Sequence, residues 1–237
     1  MTVQLTTLPN GLRIVTDPMN SVETVALGVW VDAGTRHETA DVNGISHLLE
    51  HMAFKGTARR SAQAIAEEMD NVGGQLNAYT SRDHTAYFAK VLKEDVGVAT
   101  DIVADILLNS TMDAEELARE QHVVVQEIYQ AIDTPDDIIF DHAQAAAFPN
   151  QPLGWPVLGQ EKIVRSITPQ KLKSHMARHY APDATVVSAS GAILHDDFVR
   201  KVEAAFGGLA PRARTEAVAG AYAGGDFRED RDTEQAH

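Results

Sequence analysis

His47, Glu50 and His51 lie within five residues of one another in the run Gly44-Ile45-Ser46-His47-Leu48-Leu49-Glu50-His51-Met52-Ala53-Phe54-Lys55-Gly56-Thr57. The run is apolar and bounded by glycines, and it reads as a short helix. At about 100° per residue, the three ionisable side chains fall within about 100° of arc, and Ile45, Leu48, Leu49 and Met52 gather on the other side. The apolar back can pack on a core while the ionisable front stays together. Two imidazoles at i and i+4 reach one metal ion from a single helix face. Glu50 sits one turn from His47, close enough to take a proton from a water held at such an ion. Histidine pairs at this spacing also arise by chance in soluble helices. The interposed glutamate and the apolar back are what favour a site here.

Composition narrows the chemistry. The chain has 237 residues, is 44% hydrophobic, contains no cysteine and carries a formal net charge of −14. That length suits one large domain or two small ones. Without thiolates, any zinc must rest on histidine and carboxylate, a donor set that suits a catalytic site better than a structural one. The negative charge argues against a nucleic-acid partner and is compatible with basic peptides as substrates, although solubility alone would explain it. No run approaches the ~20 apolar residues of a membrane helix. Met1-Thr2-Val3-Gln4-Leu5 lacks the basic start and apolar block of a signal peptide, so a cytoplasmic location is expected.

The elements that must position these residues follow from periodicity. Pro9-Asn10-Gly11 between Val3–Leu8 and Leu12–Thr16 predicts a β-hairpin. Thr24–Val31 reads as a buried strand, and a turn-rich segment from Asp32 to Asn43 leads to the His47 helix. Asn43 or Ser46 is the expected N-cap and Gly56 the stop. Ser61 caps a helix that ends at Gly73-Gly74. Gln75–Thr80 and Thr85–Val91 form a second strand pair. Helices are expected from Glu94 to Leu108, from Asp113 to about Ala131, and from Pro135 to Ala147. After a loop from Phe148 to Gly159 come a helical turn, a helix opened by Thr168-Pro169, a strand over Ala184–Ser190 and a helix over His195–Phe206. This mixture predicts an α+β architecture, with helices covering a largely antiparallel sheet. Beyond residue 210 the chain turns Pro-, Gly- and Ala-rich and then polar, so residues 211–237 read as a linker or tail to a domain over 1–210.

A catalytic zinc usually takes three protein ligands and leaves room for water. On the helix through Glu120-Gln121-His122-Val123-Val124-Val125-Gln126-Glu127-Ile128, Glu127 shares a face with Val123, Val124 and Ala131, and Glu120 lies two turns earlier on nearly the same meridian. A carboxylate on an apolar stripe is costly unless paired or bound to a cation. Glu127 is therefore a candidate, though pairing with an arginine or partial solvation would also account for it. His84, Asp83, Glu67 and Glu68 are rivals. His122 reads as solvent-facing, and His142, His175, His179 and His195 read as structural.

Taken together, these motifs resemble the N-terminal half of a pitrilysin/insulinase-type (inverzincin) zinc metallopeptidase, of the kind related to the mitochondrial processing peptidase β-subunit. The resemblance rests on the run from Gly44 to Thr57 with its H-x-x-E-H core and on Gly73-Gly74-Gln75-Leu76-Asn77-Ala78-Tyr79-Thr80-Ser81-Arg82-Asp83-His84-Thr85. Glu120 to Ile128, Leu158-Gly159-Gln160-Glu161 and the opening Leu8-Pro9-Asn10-Gly11-Leu12-Arg13 add to it. It spans nearly all of residues 1–210.

The resemblance implies an endopeptidase holding Zn²⁺ on His47, His51 and a glutamate some 76 residues beyond the second histidine; 127 − 51 = 76 selects Glu127. It implies Glu50 as general base and Glu120 as a residue behind the ligands that orients one of them. Asn77, Ala78 and Tyr79 match an edge strand that takes up the peptide as an added β-strand, and Phe54 matches a position beside the scissile bond. The fold implied is one half of a two-domain clamshell. A second homologous domain, in cis or in trans, is implied to supply further substrate contacts, and a homo- or hetero-dimer is allowed. Activity of this half alone is expected to be weak or absent. The alternative is a catalytically silent partner subunit of a processing-peptidase-like complex, but such subunits usually lack part of the motif, and here the motif is complete.

Overall fold

The structure is a computed structural model that describes residues 3–213 and 215–232; Met1 and Thr2 of the start, and Arg214 and residues 233–237 of the expected tail, lie outside the described residues. Six strands form one sheet in the order β1-β2-β6-β3-β5-β4: β1 Gln4–Thr7, β2 Arg13–Pro18, β3 Thr24–Val31, β4 Gln75–Thr80, β5 Thr85–Leu92 and β6 Thr185–Gly191. Only β2 and β6 pair in parallel. The largely antiparallel α+β architecture is thus present.

The Asn-Gly hairpin forms as expected, with Gln4 opposite Thr16. β3 shows the period-two burial that a half-covered sheet requires: Val25, Leu27, Val29 and Val31 are buried, whereas Ala26 and Trp30 face outward. The inner face packs against α3 (Val96–Leu108), α8 (His195–Phe206) and Ile65 and Met69 of α2 (Ala62–Asn71). A short 3-10 turn, Lys93–Asp95, precedes α3 where the sequence suggested helix from Glu94.

A second core lies beside the sheet. There α1 (Ile45–Ala53) buries Ile45, Leu48, Leu49 and Met52 against α4 (Ala114–Asp133) and against Val164, Ile167 and Leu172. Each such side chain contributes about 1.5–3 kcal/mol on burial. Leu172 belongs to α7 (Pro169–His179), which Thr168 caps as expected by accepting from Lys171 N. Val164 closes the short α6 (Glu161–Val164). Asp113 caps α4, accepting from Glu115 N and Glu116 N.

The expected cap of α1 is corrected. Neither Asn43 nor Ser46 caps it. The N-cap is Gly44, in the left-handed region at φ +93, with no side-chain cap of its own. A Cβ at Gly44 would lie 2.8 Å from Leu158 O and 2.9 Å from Gly159 Cα. Glycine therefore satisfies both a backbone conformation and a backbone crossing. After α1 the chain is pinned by Asp105 of α3, which accepts from Thr57 Oγ1, Arg59 Nε and Arg60 Nη1 at 2.8–2.9 Å.

α5 (Pro135–Ala147) follows α4, and the segment beyond residue 210 has no helix or strand among its described residues. It lies along α5: Ala223 N donates to Ala147 O, and the Phe227 ring stacks on His142 at 4.2 Å.

Candidate metal centre

Two helices make the centre. α1 presents His47, Glu50 and His51 away from its buried side, as its periodicity predicts. α4 crosses it and brings Glu127. His47 Nε2 and His51 Nε2 each lie 3.6 Å from Glu127 Oε2. One ligand atom from each of the three residues can be chosen so that all lie within 4.8 Å of one another, and no other group of three or more histidine or acidic side chains does this among the described residues. Ligands at ~2.1 Å from a tetrahedral ion stand about 3.4 Å apart. The 3.6 Å separations are too long for hydrogen bonds and close to that spacing, so the residues present fit a zinc ion. The His47 and His51 rings meet edge to face at 4.7 Å.

The nitrogens on the far side of the rings differ. His51 Nδ1 donates to Glu120 Oε2 at 3.0 Å, which leaves Nε2 with a free lone pair facing Glu127. Glu120 is 6% exposed, and its other oxygen is held by Lys55 Nζ at 2.8 Å. The lysine makes a buried carboxylate tolerable, and the carboxylate fixes the histidine tautomer. His47 Nδ1 is buried without a hydrogen-bond partner. Burial, followed by the nearby His51, drives the His47 pKa down to about 3, so this ring is neutral at ordinary pH.

Glu50 completes the front of α1. Thr80, on β4, donates its hydroxyl to Glu50 Oε2 at 2.6 Å. Burial raises the Glu50 pKa, and the Thr80 hydrogen bond and the His51 charge oppose that rise. A carboxylate with a raised pKa, held on one oxygen only, is suited to accept and release a proton.

The remaining expected positions sort clearly. Among the described residues β4 pairs only with β5, so the backbone bearing Asn77, Ala78 and Tyr79 stands at an edge of the sheet. Asn77 Oδ1 accepts from Ala78 N, and Tyr79 is 39% exposed with its hydroxyl on His84 Nε2. Phe54 ends α1 and packs, half-buried, on the sheet core. The rival ligands are employed elsewhere: Asp83 pairs with Arg36, Glu68 with Arg60, Glu67 with Gln63, and His84 with Tyr79 and Ser81. His122 is exposed, as read.

One detail differs from the sequence reading. Val123, placed by helix geometry beside Glu127, is 43% exposed; the buried stripe of α4 is Leu117, Glu120, Val124 and Ile128, and Glu127 stands at its border. His175 and His179 share the i, i+4 spacing of the metal-facing pair. Their buried rings meet at a tilt, 4.6 Å apart, beside half-buried His37, and among the described residues no carboxylate joins them in a metal-holding set. Thr80 and Lys55 were missed altogether. The inward phase of β4, which Thr80 shares with Leu76 and Ala78, was the available signal for Thr80.

Comparison with known proteins places this geometry. The model of the insulinase (M16) peptidase family matches residues 13–161, and the model of the M16 inactive domain matches residues 166–237. The uncharacterized zinc protease YmxG of Bacillus subtilis is 47% identical over 201 residues, covering 85% of this chain and 49% of that protein. The probable mitochondrial-processing peptidase subunit beta of Arabidopsis thaliana is 44% identical over 203 residues, covering 86% and 38%. The chain thus spans half or less of the length of these relatives. Among solved structures, a protease from Helicobacter pylori superposes with a TM-score of 0.86 at 23% identity, covering 93% of this chain and 54% of that one. The first half of the periplasmic protease PqqL from Escherichia coli gives 0.82 at 22% identity, covering 92% and 48%. These two establish the fold, and the family match carries the classification: the chain belongs to the insulinase (M16) family of zinc peptidases.

Proposed function

We propose that this chain is the metal-bearing half of a zinc endopeptidase, acting on peptides or unfolded, presequence-like segments together with a second homologous domain supplied in cis or in trans. The observation that carries the reading is the convergence of His47, His51 and Glu127 with Glu50 beside them. His47, His51 and Glu127 would hold the zinc. When bound, the ion would polarise the scissile carbonyl and make a water acidic enough to attack near neutral pH.

The chain's own residues do the rest. Glu50, with Oε2 held by Thr80, takes the proton from the attacking water and returns it to the leaving nitrogen. Glu120 keeps the His51 Nε2 lone pair turned inward. The open edge of β4 at Asn77, Ala78 and Tyr79 receives the peptide backbone as an added strand, which leaves side-chain identity loosely specified. Phe54 borders the bound strand. A cavity of about 380 Å³, lined chiefly by apolar groups including Ile128, Ile132, Ile138 and Leu158, lies along the α4 turn that follows Glu127 and gives room for a substrate side chain. The acidic chain favours basic peptides.

The test compares wild type with Glu50→Gln for zinc content and for hydrolysis of a fluorogenic basic peptide, alone and with the second domain added. Glu50→Gln should keep its zinc and lose hydrolysis. Full activity in Glu50→Gln refutes the assignment, and an equal rate with and without the second domain refutes the half-enzyme reading.

A further inference from the structure

The N-terminus of α1 raises a problem that Glu38 solves. The N-cap must be glycine, because of its φ and the crossing of residues 158–159, and a glycine cannot cap with a side chain. The first N–H groups of a helix still need acceptors. Glu38, six residues earlier and 3% exposed, serves two of them: Oε1 accepts from Ser46 N at 2.9 Å, and Oε2 from Gly44 N at 2.8 Å, with Asn43 Nδ2 as a third donor at 3.0 Å. Asn43 Nδ2 also donates to Pro156 O, so the same carboxylate ties α1 to the loop against which Gly44 packs.

We propose that Glu38 is a positioning residue for the metal centre. It acts as a remote cap whose two oxygens fix the rotation and entry of α1, and through them the directions of His47 and His51. The proposal rests on the zinc reading above. His47 is the third residue of α1, one position after Ser46, and His51 follows one turn later. α1 has only nine residues, and its length along the axis is about 13 Å. Both rings lie within the first two turns of this hydrogen-bonded rod, so a shift or rotation of its first turn is carried to both. The side chain is otherwise an odd choice. A carboxylate this buried is costly unless every acceptor is used, and here it is spent on the first turn of the helix that carries two of the three metal-facing side chains.

The experiment uses the full chain, zinc titrated against a chromophoric chelator, the visible spectrum of the cobalt(II)-loaded protein, and thermal melting of the metal-free protein. Glu38→Ala should bind zinc about 10-fold more weakly, the low end of the range for residues that hold a metal ligand directly, since Glu38 acts one step further back, with an altered cobalt spectrum. Glu38→Gln, which preserves shape but turns one oxygen into a donor facing a donor, should shift both readouts in the same direction, and it carries the test if the alanine variant does not fold. Val202→Ala, in α8 within the sheet core, controls for general destabilisation and should leave affinity unchanged. Glu38 variants that bind zinc within twofold of wild type with an unchanged cobalt spectrum overturn the proposal, as does an equal loss of affinity in Val202→Ala. A wild type that binds no zinc overturns the metal reading itself.

Discussion

Acid should unfold the metal-free chain earlier than its carboxylates alone would dictate, and His179 carries a separable share of that effect. His179 is 5% exposed, its Nδ1 has no hydrogen-bond partner, and its ring lies 4.6 Å from His175 and 5.8 Å from His37. Burial first, then the charges of His37 and Arg178, lower its pKa to about 4; burial lowers His175 to about 3, as it does His47. Each ring therefore titrates lower in the folded chain than the ~6.5 of an unfolded one, and below that pH the unfolded chain binds more protons. The stability these rings confer is complete above about pH 6.5 and is lost as pH falls towards their folded values. Between about pH 7.5 and about pH 5.5 one such ring forfeits roughly 1–2 kcal/mol, and the three together about 4 kcal/mol. Against a total of about 5–15 kcal/mol this is a large loss. Urea unfolding with a chelator present measures it. At a slope of about 2 kcal/mol/M, the wild-type midpoint should fall by about 2 M between the two pH values and that of His179→Leu by about 1.4 M. Equal falls in the two proteins would show that His179 does not enter the linkage.

Two other substitutions probe the frame around the centre. Glu120→Gln faces Lys55 with an amide and weakens the hold on His51, so zinc affinity should drop about 10–100-fold while the metal-free melting temperature changes little; chelator competition reads the first and calorimetry the second. Asp105→Ala leaves Arg59 and Arg60 without their buried partner, whose side chain is fully buried, and should destabilise the chain by about 3–5 kcal/mol in urea titrations.

Much of the fold was legible because the strands and helices obey their own periods. In Thr24–Val31 the side chains of Val25, Leu27, Val29 and Val31 are buried in alternation and only Gly28 departs from the pattern, and Asn10-Gly11 marks the β1–β2 turn without help from the rest of the chain. The histidine pair was legible for the same reason, since one helix face determines it. Glu127 could not be selected by helix geometry alone, because its neighbour Val123 reads as core and is exposed. Only the resemblance, through the 76-residue spacing, singled it out. The cap of α1 was misread because local rules look one residue upstream, whereas the acceptor is Glu38. Thr80 and Lys55 escaped notice because each acts on a residue from another part of the chain or through a buried partner. Local pattern encodes elements, and the polar contacts between elements depend on packing that no single segment contains.

The central place of β6 bears on how the molecule can be made. Arg13 pairs with Val186, so the sheet joins a strand from the first residues to one from the last third. The gap between the two family-model spans, 161 to 166, precedes β6, and a chain ended there would separate the β1–β2 hairpin from β3, β5 and β4. Two raw strand edges would then be offered to other molecules. During synthesis all three metal-facing residues leave the ribosome long before the strand that closes the sheet. Such distant pairings fold slowly, and the edges of β2 and β3 stay unpaired until residue 191 emerges.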